Sequence, residues 1–334
     1  MSEHYDVVIV GGGPAGLSAG LNLVRARRRV LILDSNRPRH SATLVSHGFL
    51  TRDGVSPLEL RGLGREEFAA YETAEFHQGL VSSLRRIDGA HDDGGDPDPG
   101  SDDTATVSGD VSAEARFALS ARGVRGSADR EVTARVVVLA SGLAETLPAL
   151  PSIRAYYGTS LHSCIECDAF EKSDGALALI GSTPDLAERA LFVSQVTDDL
   201  IVFTGGAEVV TAEEEAGLAA RGIAVERREI SDVVGDRSGL TGVVLADGTV
   251  VERTGGFVRP SWSVPLGFAE SLAGELVLDS NGYVVVGDGG ATEVEGLFAV
   301  GDLTTPGPQQ LIVAAGAGAR TAAAVNRHLL GALA

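Results

Sequence analysis

Short apolar runs rich in β-branched residues recur along the chain and predict buried strands. Residues 5–10 form the first run, and residues 30–33 form the second. The segment between them has apolar residues at helical spacing, namely Ala15, Leu17, Leu21 and Val24. A strand, a helix and a second strand in this order predict a βαβ unit with parallel strands.

The same alternation recurs in the middle of the chain. The predicted elements are a strand at 176–180, a helix at 185–196, a strand at 200–203, an acidic helix at 212–221, a strand at 223–227 and a hairpin turn at Asp247-Gly248. This second unit lies between residues 148 and 257, so the chain predicts an α/β fold with two related units.

A glycine-rich turn joins the first strand to the first helix. Residues 11–16 satisfy Gly-x-Gly-x-x-Gly, and Asp34 ends the next strand, which together make the dinucleotide-binding fingerprint. Gly11 allows a tight turn, Gly13 lets a pyrophosphate approach the backbone, and Gly16 allows close packing of helix and sheet. Asp34 can accept hydrogen bonds from an adenosine ribose. The alternative is a plain tight turn without a ligand.

The far end of the chain favours FAD as the dinucleotide. Residues 295–302 predict a strand that ends in Gly301-Asp302, which resembles the second FAD signature of two-dinucleotide flavoproteins. The last helix is predicted to begin near Pro308, and its positive end can stabilise a reduced flavin. The candidate FAD-binding residues are Gly11, Gly13, Pro14, Ala15, Gly16, Asp34, Ser35, Arg39, His47, Val81, Ala140, Gly142, Gly301, Asp302, Gln309, Gln310 and Leu311.

Because the two FAD signatures lie at opposite ends of the chain, the middle unit is predicted to be an insertion. The FAD-binding domain is predicted at residues 1–147 and 258–334, and the inserted domain of NAD(P) type at 148–257. Residues 88–110 are rich in Asp, Gly and Pro, which predicts a disordered surface loop and not a metal site.

The only two cysteines, Cys164 and Cys167, form a Cys-x-x-Cys motif. Two thiols one helical turn apart can open and close a disulfide with little backbone movement. Ser163 and Glu166 fit a capping box, which predicts a helix from Ser163 with Cys164 in its first turn, where the dipole favours a thiolate. Glu166 and Asp168 oppose that effect. The alternatives are half of a zinc site, for which no second cysteine pair exists, and a static disulfide.

The net charge of −19 argues against nucleic acid and anionic membrane surfaces as partners. No signal peptide and no apolar run of membrane-spanning length is visible, so a cytoplasmic protein is expected. A reducing compartment disfavours a structural disulfide and favours a catalytic one.

In its order of motifs the whole chain resembles the low-molecular-weight thioredoxin reductases. The resemblance implies two Rossmann-like (three-layer ββα) domains, bound FAD and a homodimer. It also implies that Cys167 lies beside the flavin, that Cys164 meets the substrate, and that Asp168 is the acid–base residue.

The chain departs from those reductases where they bind NADPH. In residues 181–186 Gly181 is retained, but Thr183 and Leu186 replace small residues, Pro184 lacks an N–H group, and Asp185 adds negative charge. Residues 204–208 lack the cations that would meet a 2′-phosphate. NADPH is therefore expected to bind weakly or not at all; the alternative is weak binding of NADH.

Residues 38–40, 47–54 and 64–67 resemble the FAD-dependent dithiol oxidases of the gliotoxin and holomycin type, which pass electrons to oxygen. Many of those enzymes have Pro-Tyr between the cysteines and then His, whereas this chain has Ile165-Glu166 and Asp168. His47 is interpreted as a wall of the flavin or substrate pocket, or alternatively as a packed turn residue.

The resulting prediction is an oxidase that closes a disulfide in a small secondary-metabolite dithiol and forms H2O2 from O2. One alternative is a reductase fed by NAD(P)H or ferredoxin that acts on a thioredoxin-like protein. Another is a non-catalytic flavin and disulfide redox sensor.

Overall fold

The computed structural model describes residues 3–87, 116–304 and 307–331, so the predicted acidic loop at 88–110 lies outside the described residues. The strands are β1 Glu3–Val10, β2 Val30–Asp34, β3 Ala74–Arg86, β4 Phe117–Gly123, β5 Arg130–Leu139, β6 Ala144–Thr146, β7 Leu161–His162, β8 Leu177–Ile180, β9 Leu200–Phe203, β10 Ala224–Glu226, β11 Ile230–Asp236, β12 Gly239–Leu245, β13 Val250–Glu252, β14 Gly255–Val258, β15 Ser261–Ser263 and β16 Leu297–Ala299. The helices are α1 Pro14–Arg25, α2 Pro57–Ala69, α3 Ile153–Tyr156, α4 Ile165–Asp168, α5 Leu186–Val193, α6 Ala212–Ala219 and α7 Leu311–Leu330. Short 3-10 helices lie at Arg39–Ala42, Phe170–Lys172, Gly267–Leu272 and Asp288–Gly290.

The larger sheet is parallel in the order β16-β5-β1-β2-β3. Strand β4 joins the ends of β3 and β5 by antiparallel pairing. The β-branched runs of β1 and β5 are buried on both faces, as expected for a covered parallel sheet. One core lies between the sheet and α1 and α7, and a second lies on the opposite face with β3 and β4.

The smaller sheet, β10-β9-β8-β14-β7, is also parallel. Leu186 and Val193 of α5 pack in the core on one side of it, and the antiparallel strands β11-β12-β13 contribute Val233 and Val243 to the core on the other side. Two three-layer α/β units are therefore present, which confirms the predicted fold class. The domain boundaries stay a prediction.

Two predicted helix starts are wrong. The last helix begins at Leu311 and not near Pro308, because Gln310 is its N-cap and has an extended backbone. The helix after the first cysteine begins at Ile165 and not at Ser163, because Cys164 is the extended N-cap residue. The predicted strands and helices of the middle unit are present, and their ends coincide with the prediction or differ from it by at most three residues.

None of the helices in the described part of the chain is both long enough and apolar enough to span a bilayer.

Candidate active site

A cavity of about 480 Å³ lies at the carboxyl ends of the parallel strands in the larger unit. In such sheets ligands bind at this edge, where the glycine turn and the N-terminus of α1 also lie. Most of the predicted FAD-binding residues line it: Gly11, Gly13, Pro14, Ala15, Asp34, Ser35, Arg39, Val81, Ala140, Gly142, Gly301, Asp302, Gln309, Gln310 and Leu311. Gly16 and His47 are not among the lining residues.

The three glycines of the motif have different surroundings. Gly11 has φ +114, and a Cβ on it would lie 2.3 Å from the carbonyl oxygen of Ala140. A Cβ on Gly16 would lie 2.0 Å from the carbonyl oxygen of Gly11, so Gly16 allows the helix to approach the turn. A Cβ on Gly13 would have no atom within 4 Å, so bare backbone faces the cavity where a pyrophosphate would lie.

Other polar groups of the cavity also fit FAD. The buried hydroxyl of Ser141 lines the cavity and has no hydrogen-bond partner among the residues that the structure describes. Arg39 Nη2 forms a 2.8 Å ion pair with Asp302 Oδ2, so the carboxylate of the second signature is held at the cavity wall. Gln310 caps the 20-residue helix α7, whose positive end faces the same space. These donors would hold the phosphates, ribityl chain and flavin ring.

Asp34 has partners that the sequence analysis did not predict. Its Oδ2 atom lies 2.6 Å from Arg61 Nη2 and 2.9 Å from Arg65 Nη2, and its Oδ1 accepts a 2.9 Å hydrogen bond from the Asn36 backbone. Arg61 is 4% exposed and lines the cavity. Asp34 is thus an ion-pair partner as well as a candidate ribose ligand.

Cys164 and Cys167 form a disulfide on α4. The capping box predicted for Ser163 and Glu166 is absent, since the helix start has no side-chain cap. Ser163 Oγ instead lies 2.9 Å from the hydroxyl of Tyr157, and Glu166 lies 3.7 Å from Cys164 Sγ. Among the described residues no group of three or more His, Cys, Asp or Glu could hold a metal ion, which gives no support to the zinc alternative.

Asp168, which directly follows Cys167, is buried and forms a 2.9 Å contact from its Oδ1 to His162 Nδ1. Nε2 of the same ring lies 2.7 Å from the carbonyl oxygen of Thr159. The predicted acid–base residue therefore has a histidine partner, which the sequence analysis did not identify.

Tyr157 connects the disulfide turn to the wall of the cavity. Its hydroxyl donates a 2.5 Å hydrogen bond to Glu145 Oε1, next to the lining residue Ala144. Burial raises the pKa of Glu145, and hydrogen bonds from Tyr157 and Ser163 offset part of this effect. Burial and the neighbouring carboxylate raise the pKa of Tyr157. This path joins Ser163, one residue before Cys164, to Glu145, which is next to the cavity wall.

His47 lies between two carboxylates and not in the cavity wall. Its Nδ1 is 3.6 Å from Asp53 Oδ2, and its Nε2 is 3.4 Å from Glu171 Oε1. Glu171 lies in the 3-10 helix that follows the disulfide helix. His47 therefore contacts the turn beyond the cysteines.

The second glycine loop differs from the first in geometry as well as sequence. Helix α1 begins three residues after Gly11, whereas α5 begins five residues after Gly181. A Cβ on Gly181 would lie 2.8 Å from Arg259 Cβ and 2.9 Å from Leu186 Cδ1, so two side chains cover this glycine. The N-terminus of α5 is thus farther along the chain from its glycine turn than the N-terminus of α1 is from Gly11.

Asp185, which the sequence analysis identified as an added negative charge, has two side-chain partners that the sequence analysis did not identify. Arg259 Nη2 lies 3.0 Å from its Oδ2, and the Thr183 hydroxyl donates a 2.5 Å hydrogen bond to its Oδ1. Burial acts to raise the pKa of Asp185, but these partners outweigh burial and the net pKa is lowered. Asp185 is therefore held by Thr183 within the loop and by Arg259 outside it.

Residues 5–318 match the family model described as pyridine nucleotide-disulphide oxidoreductase. The chain belongs to this family. It is therefore an FAD-dependent disulfide oxidoreductase of the thioredoxin reductase type, and it is an enzyme, as the sequence predicted.

Relatives and solved structures agree with this assignment. The chain is 24% identical to the thioredoxin reductase of Escherichia coli O157:H7 over 355 residues, covering 99% of this chain and 98% of that protein. The crystal structure of HlmI matches with 31% identity and a TM-score of 0.83, covering 99% of this chain and 94% of that one. The putative thioredoxin reductase TrxB of Bacillus anthracis matches with 31% identity and a TM-score of 0.81, covering 96% of this chain and 97% of that one.

Proposed function

We propose that this enzyme is an FAD-dependent dithiol oxidase that closes a disulfide in a small-molecule dithiol and passes the electrons to O2. The observation that supports the proposal is the contrast between the two glycine loops: side chains of Arg259 and Leu186 cover Gly181, whereas the backbone at Gly13 is uncovered in the cavity of the larger unit. Asp185 accepts a hydrogen bond from Thr183 and pairs with Arg259 at the place where a reductase of this family would bind a nicotinamide cofactor. If no nicotinamide cofactor binds there, the electrons have to enter the enzyme through Cys164 and Cys167.

The first step takes place at the disulfide. A substrate thiolate attacks Cys164 Sγ, the Cys164–Cys167 bond breaks, and Cys167 leaves as a thiolate. The second substrate thiolate attacks the substrate sulfur bound to Cys164, which releases the cyclic disulfide product and the Cys164 thiolate. Two electrons have moved from the substrate to the enzyme pair, and the substrate has lost two protons.

FAD, when bound, would supply the two-electron chemistry that links the enzyme dithiol to O2, and O2 needs these two electrons and two protons to become H2O2. Cys167 is proposed as the sulfur on the flavin side and Asp168 as the group that exchanges protons there. Arg39, Asp302 and Gln310 line the cavity and would hold and orient the cofactor. The proposal includes a homodimer with the predicted domain boundaries.

A thioredoxin reductase-like activity is the second candidate, favoured by the full-length similarity to thioredoxin reductases. It needs NAD(P)H or ferredoxin as donor and a thioredoxin-like protein as acceptor. In this case the loop around Asp185 would have to open, or a protein donor would have to replace the nicotinamide.

Anaerobic mixing of the purified yellow enzyme with NADPH, NADH and a small dithiol in turn distinguishes the two. We expect the dithiol to bleach the flavin absorbance rapidly and both nicotinamides to do so slowly or not at all. Admission of O2 should restore the absorbance and yield one H2O2 for each dithiol oxidised.

Cys164→Ser is the matched control, since it removes the attacked sulfur and leaves the FAD cavity intact. Oxygen uptake with the dithiol that persists in Cys164→Ser would contradict the scheme. Rapid bleaching by NADPH in the wild-type enzyme would support the reductase instead.

A further inference from the structure

His162 is the last residue of β7 and precedes Cys164, the N-cap residue of the disulfide helix, by two residues. Its side chain is 9% exposed, and that of Asp168 is 13% exposed. Both ring nitrogens have a partner: Nδ1 contacts Asp168 Oδ1 at 2.9 Å, and Nε2 contacts the Thr159 carbonyl oxygen at 2.7 Å. Both partners therefore restrict where the protons of the ring can lie.

The partners fix the proton count of the pair. A carbonyl oxygen can only accept, so His162 Nε2 must carry a hydrogen. If Asp168 is ionised, Nδ1 must also carry one, and the ring is an imidazolium. If the ring is neutral, Nδ1 is an acceptor and Asp168 must be a carboxylic acid. In either case His162 and Asp168 together hold one proton more than a carboxylate beside a neutral imidazole.

Two charged side chains and one apolar side chain lie near the His162–Asp168 pair. Lys172 Nζ donates a 3.1 Å hydrogen bond to the same Thr159 oxygen, and burial lowers the pKa of this lysine. Glu171, the next charged group, is directed to His47. On the neighbouring strand β14 the residue in register with His162 is Phe257, which has no titratable group.

We propose that His162 is a positioning residue that holds Asp168 and keeps an exchangeable proton on the pair for the thiol–disulfide step. When the Cys164–Cys167 bond breaks, the pair donates its proton to the departing Cys167 thiolate and becomes a carboxylate beside a neutral imidazole. The Cys167 thiol returns this proton to the pair when Cys167 becomes a thiolate again. The inference rests on the proposed thiol chemistry of the pair but not on O2 as the acceptor.

The kinetic test is anaerobic reduction of the FAD enzyme by dithiothreitol across a pH series, followed by flavin absorbance. His162→Gln retains a hydrogen-bond donor but cannot ionise, so we expect a rate about 100-fold lower and a pH profile that has lost one ionisation. His77→Gln is the control, because that ring also contacts a backbone carbonyl, of Ala128 at 2.9 Å, but is exposed and unconnected to the cysteines. It should behave as wild type.

Nitrogen-15 NMR of histidine-labelled wild-type enzyme gives a readout that does not depend on turnover or on the folding of a variant. We expect the His162 ring to be protonated at Nε2 throughout the range in which the disulfide is intact. A ring protonated only at Nδ1, or an unchanged pH profile in a folded His162→Gln enzyme, would overturn the proposal. If dithiothreitol reduces the enzyme but O2 does not reoxidise it, the oxidase proposal fails and this inference stands.

Discussion

Replacing Arg61 by methionine should destabilise the FAD-binding unit. The substitution keeps an unbranched apolar side chain but removes the charge that faces Asp34. Arg61 is 4% exposed, and its Nη2 lies 2.6 Å from Asp34 Oδ2. Asp34 is 6% exposed, so water cannot replace the lost partner without rearrangement of the site.

The size of the effect follows from burial. Removing one member of a buried ion pair costs about 3–5 kcal/mol, because the other charge stays desolvated. Arg65 still contacts Asp34 Oδ2 at 2.9 Å, which places the expected loss near the lower end, about 3 kcal/mol. Arg65→Met is the matched control; its side chain is 24% exposed, so about 1 kcal/mol or less is expected.

Urea unfolding, followed by circular dichroism at a fixed excess of FAD, measures these differences, because bound ligand adds stability by mass action. The double variant Asp34→Asn with Arg61→Met should cost less than the sum of the two single changes, since both groups of the pair are then uncharged. A loss below about 1 kcal/mol for Arg61→Met, or a loss equal to that of Arg65→Met, would refute the reasoning.

Three further predictions concern packing and titration. Gly16→Ala should abolish FAD retention on gel filtration, because its Cβ would lie 2.0 Å from a carbonyl oxygen, whereas Gly62→Ala, with no atom within 4 Å, should keep FAD and full stability. Phe203→Ala should lower the free energy of unfolding by about 3–5 kcal/mol, and Phe170→Ala, 82% exposed, should change it by less than about 0.5 kcal/mol; equal losses in urea melts would argue against the assigned core. Since burial raises the pKa of Glu145 above its ordinary 4.5, the folded state favours the protonated acid and loses stability as the pH rises from 4.5 through the raised value. Glu145→Gln should remove this decline in the melting temperature, and a variant with the same decline as wild type would contradict the assignment.

The features predicted from the sequence are those that depend on spacing along one segment. The glycine turn at Gly11–Gly16 and the final Gly301-Asp302 can be recognised because a strand, a turn and a helix follow one another in a fixed order. The Cys-x-x-Cys pair is visible for the same reason, since the two thiols are three residues apart. The departures of residues 181–186 from the glycine motif of the reductases likewise predicted that the second glycine loop differs from the first.

The errors have physical causes in the fold. Ser163 fits a capping box by sequence, but its hydroxyl lies beside Tyr157 and Cys164 takes the N-cap position. Pro308 is a favourable first-turn residue, yet α7 begins three residues later, where Gln310 adopts an extended backbone at the edge of the cavity. Local preferences of about 1 kcal/mol are overridden when a tertiary contact uses the same group.

The sequence by itself determined the fold class, the place of the glycine turn and the presence of a Cys-x-x-Cys pair, because these follow from the order and periodicity of neighbouring residues. Only the tertiary structure decided which charges meet. Asp34 and Arg61 are 27 residues apart, and Asp185 and Arg259 are 74 apart. His162 and Asp168 are near in sequence but lie on a strand and a helix whose relative orientation the sequence does not specify. Such pairs depend on how buried elements pack, and burial gives them their strength.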